Sequence, residues 1–163
     1  MERLMPLSAS ILTRLHHQHE ALSELIDGLT ETALKYRVNP DKWSAFEHIA
    51  HLAAYQVMFV GRLERLVAEP SPSFERYVAE NDPQFPTYVN TPLKILLQSI
   101  SIKATEITTH LMNLKEPDLL RTGLHPRYGK LTIPQWTQFF LLHEAHHLFT
   151  IFMLTQDLRA ARE

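Results

Sequence analysis

The sequence of 163 residues contains no cysteine and only four glycines, and both shortages exclude common kinds of functional site. Without cysteine, disulfide scaffolds, thiolate zinc sites, iron–sulfur clusters and cysteine nucleophiles are excluded. The glycines form neither a Gly-x-Gly-x-x-Gly nor a Gly-x-x-x-x-Gly-Lys pattern, so the sequence offers no candidate phosphate-binding loop. The function therefore has to rest on other chemistry.

Long apolar runs and an excess of one charge are also missing. No window approaches the roughly 20 apolar residues of a membrane-spanning helix, and residues 1–6 with the polar positions after them lack the apolar segment of a secretory signal. Sixteen Lys and Arg nearly balance eighteen Asp and Glu. No segment has the basic face that phosphate contacts need. We therefore expect a single cytoplasmic domain over residues 1–163, with neither a membrane nor a nucleic acid as partner.

Apolar residues recur at three- and four-residue steps in four segments separated by proline and glycine. The spacing predicts helices over about 8–28, 44–67, 91–114 and 132–157. Ser44 with Glu47 forms a capping box at the start of the second helix, and Thr132 with Gln135 does so for the fourth. Thr91 before Pro92 predicts the N-cap of the third helix.

The connections complete the predicted architecture. Residues 30–36 are expected to form a short turn, and residues 121–131 a loop. Residues 69–90 contain four prolines and are too long for a tight turn. No segment alternates as a strand does. The fold class predicted is all-α, a four-helix bundle with a long crossover connection between helices 2 and 3.

Ten histidines stand out, and two of them lie in the apolar stripe of the predicted last helix. The stripe runs through Trp136, Phe140, His143, His147, Ile151 and Leu154. Positions i and i+4 lie about 5 to 6 Å apart on one helix face, so two imidazoles there can reach one metal ion. The alternative is a pair of hydrogen-bonded core histidines, each of which needs a buried partner.

A metal site in a bundle needs a third ligand from another helix, and the second helix offers His48 and His51. At 100° per residue His48 lies nearer the centre of the apolar stripe and His51 lies at its edge, so periodicity slightly favours His48. His19, in the stripe of the first helix, either lines the same interior or only packs there. The other helical histidines are expected at the surface: His16, His17, His110 and His146.

The sequence His143-Glu144-x-x-His147 also matches the zincin pattern, in which two histidines bind zinc and the glutamate activates water. The metzincin continuation needs a glycine and a third histidine, but no histidine follows His147. A third ligand of the glutamate type would have to be Glu163. We therefore do not favour a zinc protease.

Several longer segments together resemble the DinB-like family, which includes the YfiT-type metal-dependent hydrolases. They are Lys42-Trp43-Ser44-x-x-Glu47-His48-Ile49-Ala50-His51-Leu52, Gly123-x-His125-Pro126-Arg127-Tyr128-Gly129-x-Leu131-Thr132 and His143-x-x-x-His147, with Thr32-Ala33-Leu34-Lys35-Tyr36-Arg37 before the first of them. The resemblance covers nearly the whole chain. It implies a four-helix bundle of the DinB/YfiT type with a long crossover, a homodimer and a divalent metal ion.

Carried over residue by residue, the resemblance implies that the metal ligands are His51, His143 and His147. It selects His51 over His48, which remains the alternative. Zinc and nickel both suit imidazole ligands. The relatives resemble hydrolases and also transferases that use low-molecular-weight thiols, so the implied partner is a small molecule. The chain departs from the family's commoner His-x-Gly-Gln-Ile ending by continuing Leu148-Phe149-Thr150-Ile151-Phe152.

No general base is evident, and the candidates for other roles are few. Tyr55, one turn after His51, is a candidate hydrogen-bond donor to substrate. Arg127, beside Tyr128 before the last helix, is a candidate for holding a substrate carboxylate. Glu47 either orients His51 or serves only its capping box. A different class stays open, a stress-related binding module whose metal site is empty or vestigial.

Overall fold

The computed structural model describes residues 7–161. Residues 1–6, which enter the prediction that a secretory segment is absent, and Glu163, considered as a zincin ligand, lie outside the described residues. The helices are α1 (Ala9–His17), α2 (Ala21–Ile26), α3 (Glu31–Lys35), α4 (Ala45–Ala68), α5 (Phe85–Val89), α6 (Leu93–Met112), α7 (Glu116–Leu119) and α8 (Ile133–Ala160). Two strands, β1 (Thr122–His125) and β2 (Gly129–Thr132), and 3₁₀ turns at Gln18–Glu20 and Ala79–Asn81 complete them.

The long helices form the predicted four-helix bundle. Helix α4 packs against both α6 and α8, and α1 packs against the same two helices on the opposite side. Helix α2 continues the first segment and contacts α8. Residues 69–92 cross from α4 to α6, which confirms the long connection between the second and third long helices.

The capping boxes at the starts of α4 and α8 are both confirmed. The Ser44 hydroxyl accepts from the Glu47 amide while the Glu47 carboxylate accepts from the Ser44 amide, and Thr132 and Gln135 do the same. The predicted N-cap Thr91 is wrong. Its hydroxyl donates instead to the Thr87 carbonyl, Pro92 is the cap, and the Leu93 amide is satisfied by the Glu31 carboxylate.

The first predicted helix is interrupted, since the 3₁₀ turn at Gln18–Glu20 separates α1 from α2. At this break the Gln18 side chain donates to the Leu141 carbonyl and to the Glu144 carboxylate of α8. Apolar spacing continues unchanged through residues 8–28, so periodicity does not reveal the break. Gly28, with φ +72°, follows the end of α2.

The segments predicted as turn and loops contain additional structure. Residues 31–35 form helix α3, and the crossover includes the 3₁₀ turn and helix α5. Residues 121–131, predicted as a loop, contain most of an antiparallel hairpin in which Thr122 pairs with Thr132 and His125 with Gly129. The hairpin also bonds to the start of the crossover, because the Phe74 amide donates to the Leu124 carbonyl. Each strand has only four residues and one of them is glycine, which is depleted in strands, so neither segment has a strand-like composition.

The buried apolar residues form two clusters, one towards each end of the bundle. The first contains the α8 residues from Ile133 to Leu141, and the second contains those from Leu148 to Leu158. Between them lies a layer of polar side chains, referred to below as the polar layer: Gln18, His19, His51, Gln56, His143, Glu144 and His147. The histidines predicted to bind metal therefore lie midway along the bundle.

Among residues 7–161, no helix combines the length and apolar content required to cross a lipid bilayer.

Candidate metal centre

Three histidines of the polar layer converge on one point. His51 comes from α4, and His143 and His147 lie one turn apart on α8. The Nε2 atom of His143 is 3.2 Å from Nε2 of His51 and 3.2 Å from Nε2 of His147. Ligand atoms of all three residues lie within 4.8 Å of one another, and these three residues can hold a metal ion. We refer to them as the histidine triad.

The spacing of the ring nitrogens fits imidazole coordination. Two nitrogens 3.2 Å apart, each at the 2.0–2.1 Å typical of a zinc–imidazole bond, subtend an angle of roughly 100° at the ion, close to tetrahedral. Neutral imidazole has a single N–H, so ring nitrogens that face one another compete for few protons. A cation between them satisfies their lone pairs together.

The imidazoles of the triad are held neutral, which is the form in which histidine can bind a metal ion. Burial, reinforced by the neighbouring imidazoles, lowers the pKa of His51 to about 4, of His143 to about 3 and of His147 to about 2. His51 and His147 are buried, and His143 is half-buried. At neutral pH no proton has to leave these rings before an ion binds.

His48 belongs to the surroundings of the triad and is not a member of it. Its Nδ1 lies 2.9 Å from Nδ1 of His147, while its half-buried ring packs edge-on against Trp43. Periodicity mildly favours His48, whereas the ring nitrogens of His143 and His147 group with that of His51. The apolar stripe is a poor guide here because α4 is buried around most of its circumference, including Ala50, Ala53 and Ala54. A stripe averaged over such a helix does not identify the face that meets α8.

The crossover covers the triad with aromatic side chains. The Tyr77 ring stacks on His51 with centroids 5.8 Å apart, and Phe85 meets the same imidazole edge-on at 6.4 Å. The Trp43 ring centroid lies 5.2 Å from that of His51 and 5.1 Å from that of Phe85. The Tyr77 hydroxyl donates to the Asp82 carboxylate at 2.7 Å. Sequence reasoning missed this cover because nothing in the pattern of a proline-rich connection indicates which side chains fold back onto the bundle.

Tyr55 lies directly on the triad, though as a packing surface. Its ring stacks on His143 with centroids 3.6 Å apart, and burial raises the pKa of its hydroxyl to about 12. The Nδ1 atoms of His51 and His143 are buried without a hydrogen-bond partner among residues 7–161. Stacked rings, rather than hydrogen bonds, therefore orient these two imidazoles. The role of Tyr55 as a donor to substrate stays a prediction.

Glu47 takes part in the N-terminal capping box of α4 and does not contact His51. Besides the capping box, its carboxylate receives two hydrogen bonds from the Arg37 guanidinium. These bonds lower the pKa of Glu47 against the opposing effect of burial. The alternative in which Glu47 orients His51 finds no contact to support it in the described part of the chain.

Arg127 and Tyr128 lie at the tip of the hairpin. Both are exposed, and the Arg127 guanidinium lies over the Tyr128 ring at 5.5 Å. His125 stabilises this turn, because its Nδ1 accepts from the amides of both residues. The contacts of Arg127 do not include the triad, and its carboxylate-binding role stays a prediction.

Glu144 points into the bundle rather than to the triad. It is 5% exposed, accepts a hydrogen bond from Gln18, and burial raises its pKa to about 7. The zincin pattern requires this carboxylate beside the ion, so its position agrees with rejecting a protease. His19 lines the same interior, next to Glu144 and Gln56.

The remaining histidines divide as follows. His16, His17 and His146 are exposed, as predicted. His110, predicted at the surface, is half-buried, and its Nε2 is buried without a partner among the described residues. That prediction is wrong because His110 follows the buried Ile107 and Thr108 on a helix that packs against both α1 and α4.

Comparisons with known proteins identify a family and a relative of this chain. The sequence profile of the DinB superfamily matches residues 14–151. The uncharacterized protein YuaE of Bacillus subtilis strain 168 is 25% identical over 135 residues, 76% of this chain and 83% of YuaE.

Two solved structures from Bacillus subtilis share the fold. YfiT, described as a probable metal-dependent hydrolase with an unusual four-helix bundle topology, superposes with a TM-score of 0.76 and 16% identity over 91% of this chain and 86% of YfiT. The DinB-like protein YjoA superposes with a TM-score of 0.62 and 18% identity over 91% of each chain.

Proposed function

This chain belongs to the DinB superfamily, and from that premise we propose that it is a metal-dependent enzyme whose ion is bound by His51, His143 and His147. The observation that carries the proposal is the convergence of three neutral ring nitrogens from α4 and α8 under the aromatic side chains of the crossover. Three imidazoles leave coordination positions free for substrate, which is typical of catalytic rather than structural sites. We propose zinc or nickel as the ion.

His48 acts in this proposal as a positioning residue for His147. When His147 ligates through Nε2, its proton resides on Nδ1 and is donated to Nδ1 of His48, 2.9 Å away. His48 has to be neutral to accept it, and burial lowers the pKa of His48 to about 4. Such hydrogen bonds fix the tautomer and the ring orientation of a ligating histidine.

The proposed reaction is hydrolysis or transfer of a low-molecular-weight thiol to a small-molecule substrate. A bound divalent ion supplies Lewis acidity at neutral pH, which both reactions require. The description of YfiT supports hydrolysis. The thiol reaction is supported by the surroundings of the triad, since no carboxylate in residues 7–161 forms a hydrogen bond to its imidazoles and a thiol held as thiolate needs no base once ionised. We also propose that the chain is a cytoplasmic homodimer.

Cobalt substitution tests the metal centre and the choice of reaction together. Loading with Co²⁺ is expected to give the visible absorption of a low-coordinate site in the wild type and in His146→Ala, whose side chain is exposed and adjacent in sequence. His51→Ala and His143→Ala should lose it. A thiolate–cobalt charge-transfer band on adding a small thiol would support the transferase, and turnover of activated esters without such a band would support the hydrolase.

Two results contradict the proposal. A wild type that binds neither cobalt, zinc nor nickel would favour a non-catalytic binding module with a vestigial site. Equal cobalt spectra in the wild type and in His51→Ala would show that the triad is not the centre. Circular dichroism of each variant distinguishes a lost ligand from a lost fold.

A further inference from the structure

Helix α8 exposes a row of large apolar side chains on the face that points away from the bundle. Leu142 is 58% exposed, Phe149 61% and Met153 44%, at steps of seven and four residues that keep them on one side. Phe152 beside them is 44% exposed, and its ring stacks on Phe149 at 6.4 Å. We refer to these four residues as the α8 patch.

The same face carries no charged side chain over more than six turns. From Ile133 to Gln156 the only Lys, Arg, Asp or Glu is Glu144, which is 5% exposed and turned inward. Helices at a solvated surface carry charged residues on their outer face, whereas a helix that is apolar all round is covered on all sides. The outer face of α8 has the composition of a covered surface.

Helix α6 provides a comparison within the chain. Its Ile102 is 67% exposed, as much as any residue of the α8 patch. Ile95, seven residues earlier on the same face, is 50% exposed. However, Lys94 and Glu106 are also exposed on that helix, so the two isoleucines lie on a surface that carries charged residues. Exposed apolar residues among charges are ordinary, but contiguous uncharged patches are not.

We propose that a second copy of this chain covers the α8 patch, with the two α8 helices packed antiparallel about a twofold axis. An isologous contact pairs position i with j and j with i, so a single register fixes all the pairs. The register that places Leu142 against Met153 of the partner subunit also places His146 against Phe149 of the partner subunit. Leu142 and Met153 of the patch thereby pair with each other across the axis, and Phe149 packs against the partner's His146, whose side chain is exposed.

This register also pairs the charges that flank the patch. It brings Gln138 opposite Asp157 of the partner subunit, because Gln138 lies four residues before Leu142 and Asp157 lies four residues after Met153. Arg14 of α1 donates to the Gln138 side chain, so its guanidinium lies beside that acidic residue. The twofold axis repeats the ion pair at the other end. Charge complementarity at the rim, around an apolar centre, is typical of interfaces between proteins.

The size of the patch fits a stable dimer. At 150–250 Å² for a whole aromatic side chain, the exposed fractions of Phe149 and Phe152 amount to roughly 200 Å². Leu142 and Met153 bring the patch to on the order of 400 Å² per protomer, in the range of the largest patches on monomeric proteins. A standard interface takes about 800 Å² from each partner, of which about half to two thirds is apolar. The patch supplies most of that apolar share.

This inference rests on the homodimer in the proposed function and adds its surface and geometry. Sedimentation velocity over the micromolar range tests it with matched variants. Phe149→Lys is expected to raise the dimer dissociation constant at least about 30-fold, as loss of a central anchor does. Ile102→Lys, a change at an equally exposed residue of α6, should leave it unchanged. The single variants Arg14→Asp and Asp157→Arg should each weaken the dimer, and the double variant should restore it.

A monomeric wild type, or equal effects of Phe149→Lys and Ile102→Lys, would overturn the proposal. A double charge reversal that dimerises no better than the single variants would overturn the antiparallel register. Asp157 is exposed and Arg14 is only partly buried, so the charge variants keep the test valid if Phe149→Lys misfolds. Metal content measured on the same samples separates the two proposals: a monomer that binds metal contradicts only the interface, and a dimer without metal contradicts only the proposed function.

Discussion

Replacing His48 with alanine should weaken metal binding without removing a ligand. The His48 ring nitrogen is the hydrogen-bond partner of Nδ1 of His147, whose Nε2 faces His143. In His48→Ala the three nitrogens of the triad remain, and the Nδ1–H of a buried histidine loses its acceptor. We expect binding of one ion per chain at reduced affinity.

The expected size follows from the environment of that proton. A buried donor left without an acceptor costs about 1–3 kcal/mol. Loss of the hydrogen bond behind a ligating histidine lowers metal affinity about 10- to 100-fold, which corresponds to about 1.4–2.8 kcal/mol. The two ranges agree, since His147 is buried and water reaches its Nδ1 poorly. His48→Gln should recover much of the loss, because the amide oxygen can accept the same proton.

Competition with a chromophoric chelator measures this change, with His146→Ala as the control. His146 contacts the His147 ring edge-on at 5.1 Å but is exposed and accepts no proton from it. A His48→Ala protein that binds no metal at all, as expected for His51→Ala, would show that His48 is a ligand. An affinity equal to that of the wild type would refute the role of the hydrogen bond.

Three further predictions concern stability. The four histidines of the site have pKa values lowered by burial, while their value in the unfolded chain is about 6.5, so the unfolded state takes up more protons on acidification. The metal-free protein should therefore lose stability between pH 6.5 and 4, and urea unfolding curves that stay flat across this window would contradict the reasoning. The contribution of Glu144 to stability changes with pH in the opposite direction, because its raised pKa of about 7 favours the folded state at low pH. Glu144→Gln should therefore keep its metal and be up to about 3 kcal/mol more stable than the wild type at pH 8. A Glu144→Gln variant that is less stable than the wild type at pH 8, or that lacks metal, would show that Glu144 has a role beyond being buried. Gly123→Ala should cost about 1–3 kcal/mol, because its new Cβ would lie 2.7 Å from both Leu66 and Phe74, whereas Gly61→Ala meets no atom within 4 Å and should gain about 0.5–1 kcal/mol. Equal effects of these two substitutions in urea would contradict the packing at the hairpin.

The long helices were predictable because each has periodic apolar residues, and two of them also have an explicit start signal. The capping boxes at Ser44 and Thr132 place the starts of α4 and α8 to the residue. The prediction that Thr91 caps the third long helix was wrong because a tertiary contact overrides the local preference. The Glu31 carboxylate accepts from the Leu93 amide, and no local pattern contains that contact. The break at Gln18–Glu20 depends in the same way on a partner from α8.

The triad was predictable in part. Spacing alone predicts that His143 and His147 lie on one face of their helix. The choice between His48 and His51 needed the family resemblance, because α4 is buried on nearly all sides. The roles of Tyr77 and Phe85 could not be anticipated, since they depend on how residues 69–92 fold back over His51. The inward turn of Glu144 likewise depends on Gln18, 126 positions away.

The metal content of the purified protein, measured by plasma mass spectrometry, tests the triad most directly, for the wild type and for His51→Ala, His147→Ala and His48→Ala. We expect close to one zinc or nickel ion per chain in the wild type, none in His51→Ala or His147→Ala, and partial to full occupancy in His48→Ala. A wild type that purifies without metal and takes up neither ion at micromolar concentration would contradict this expectation.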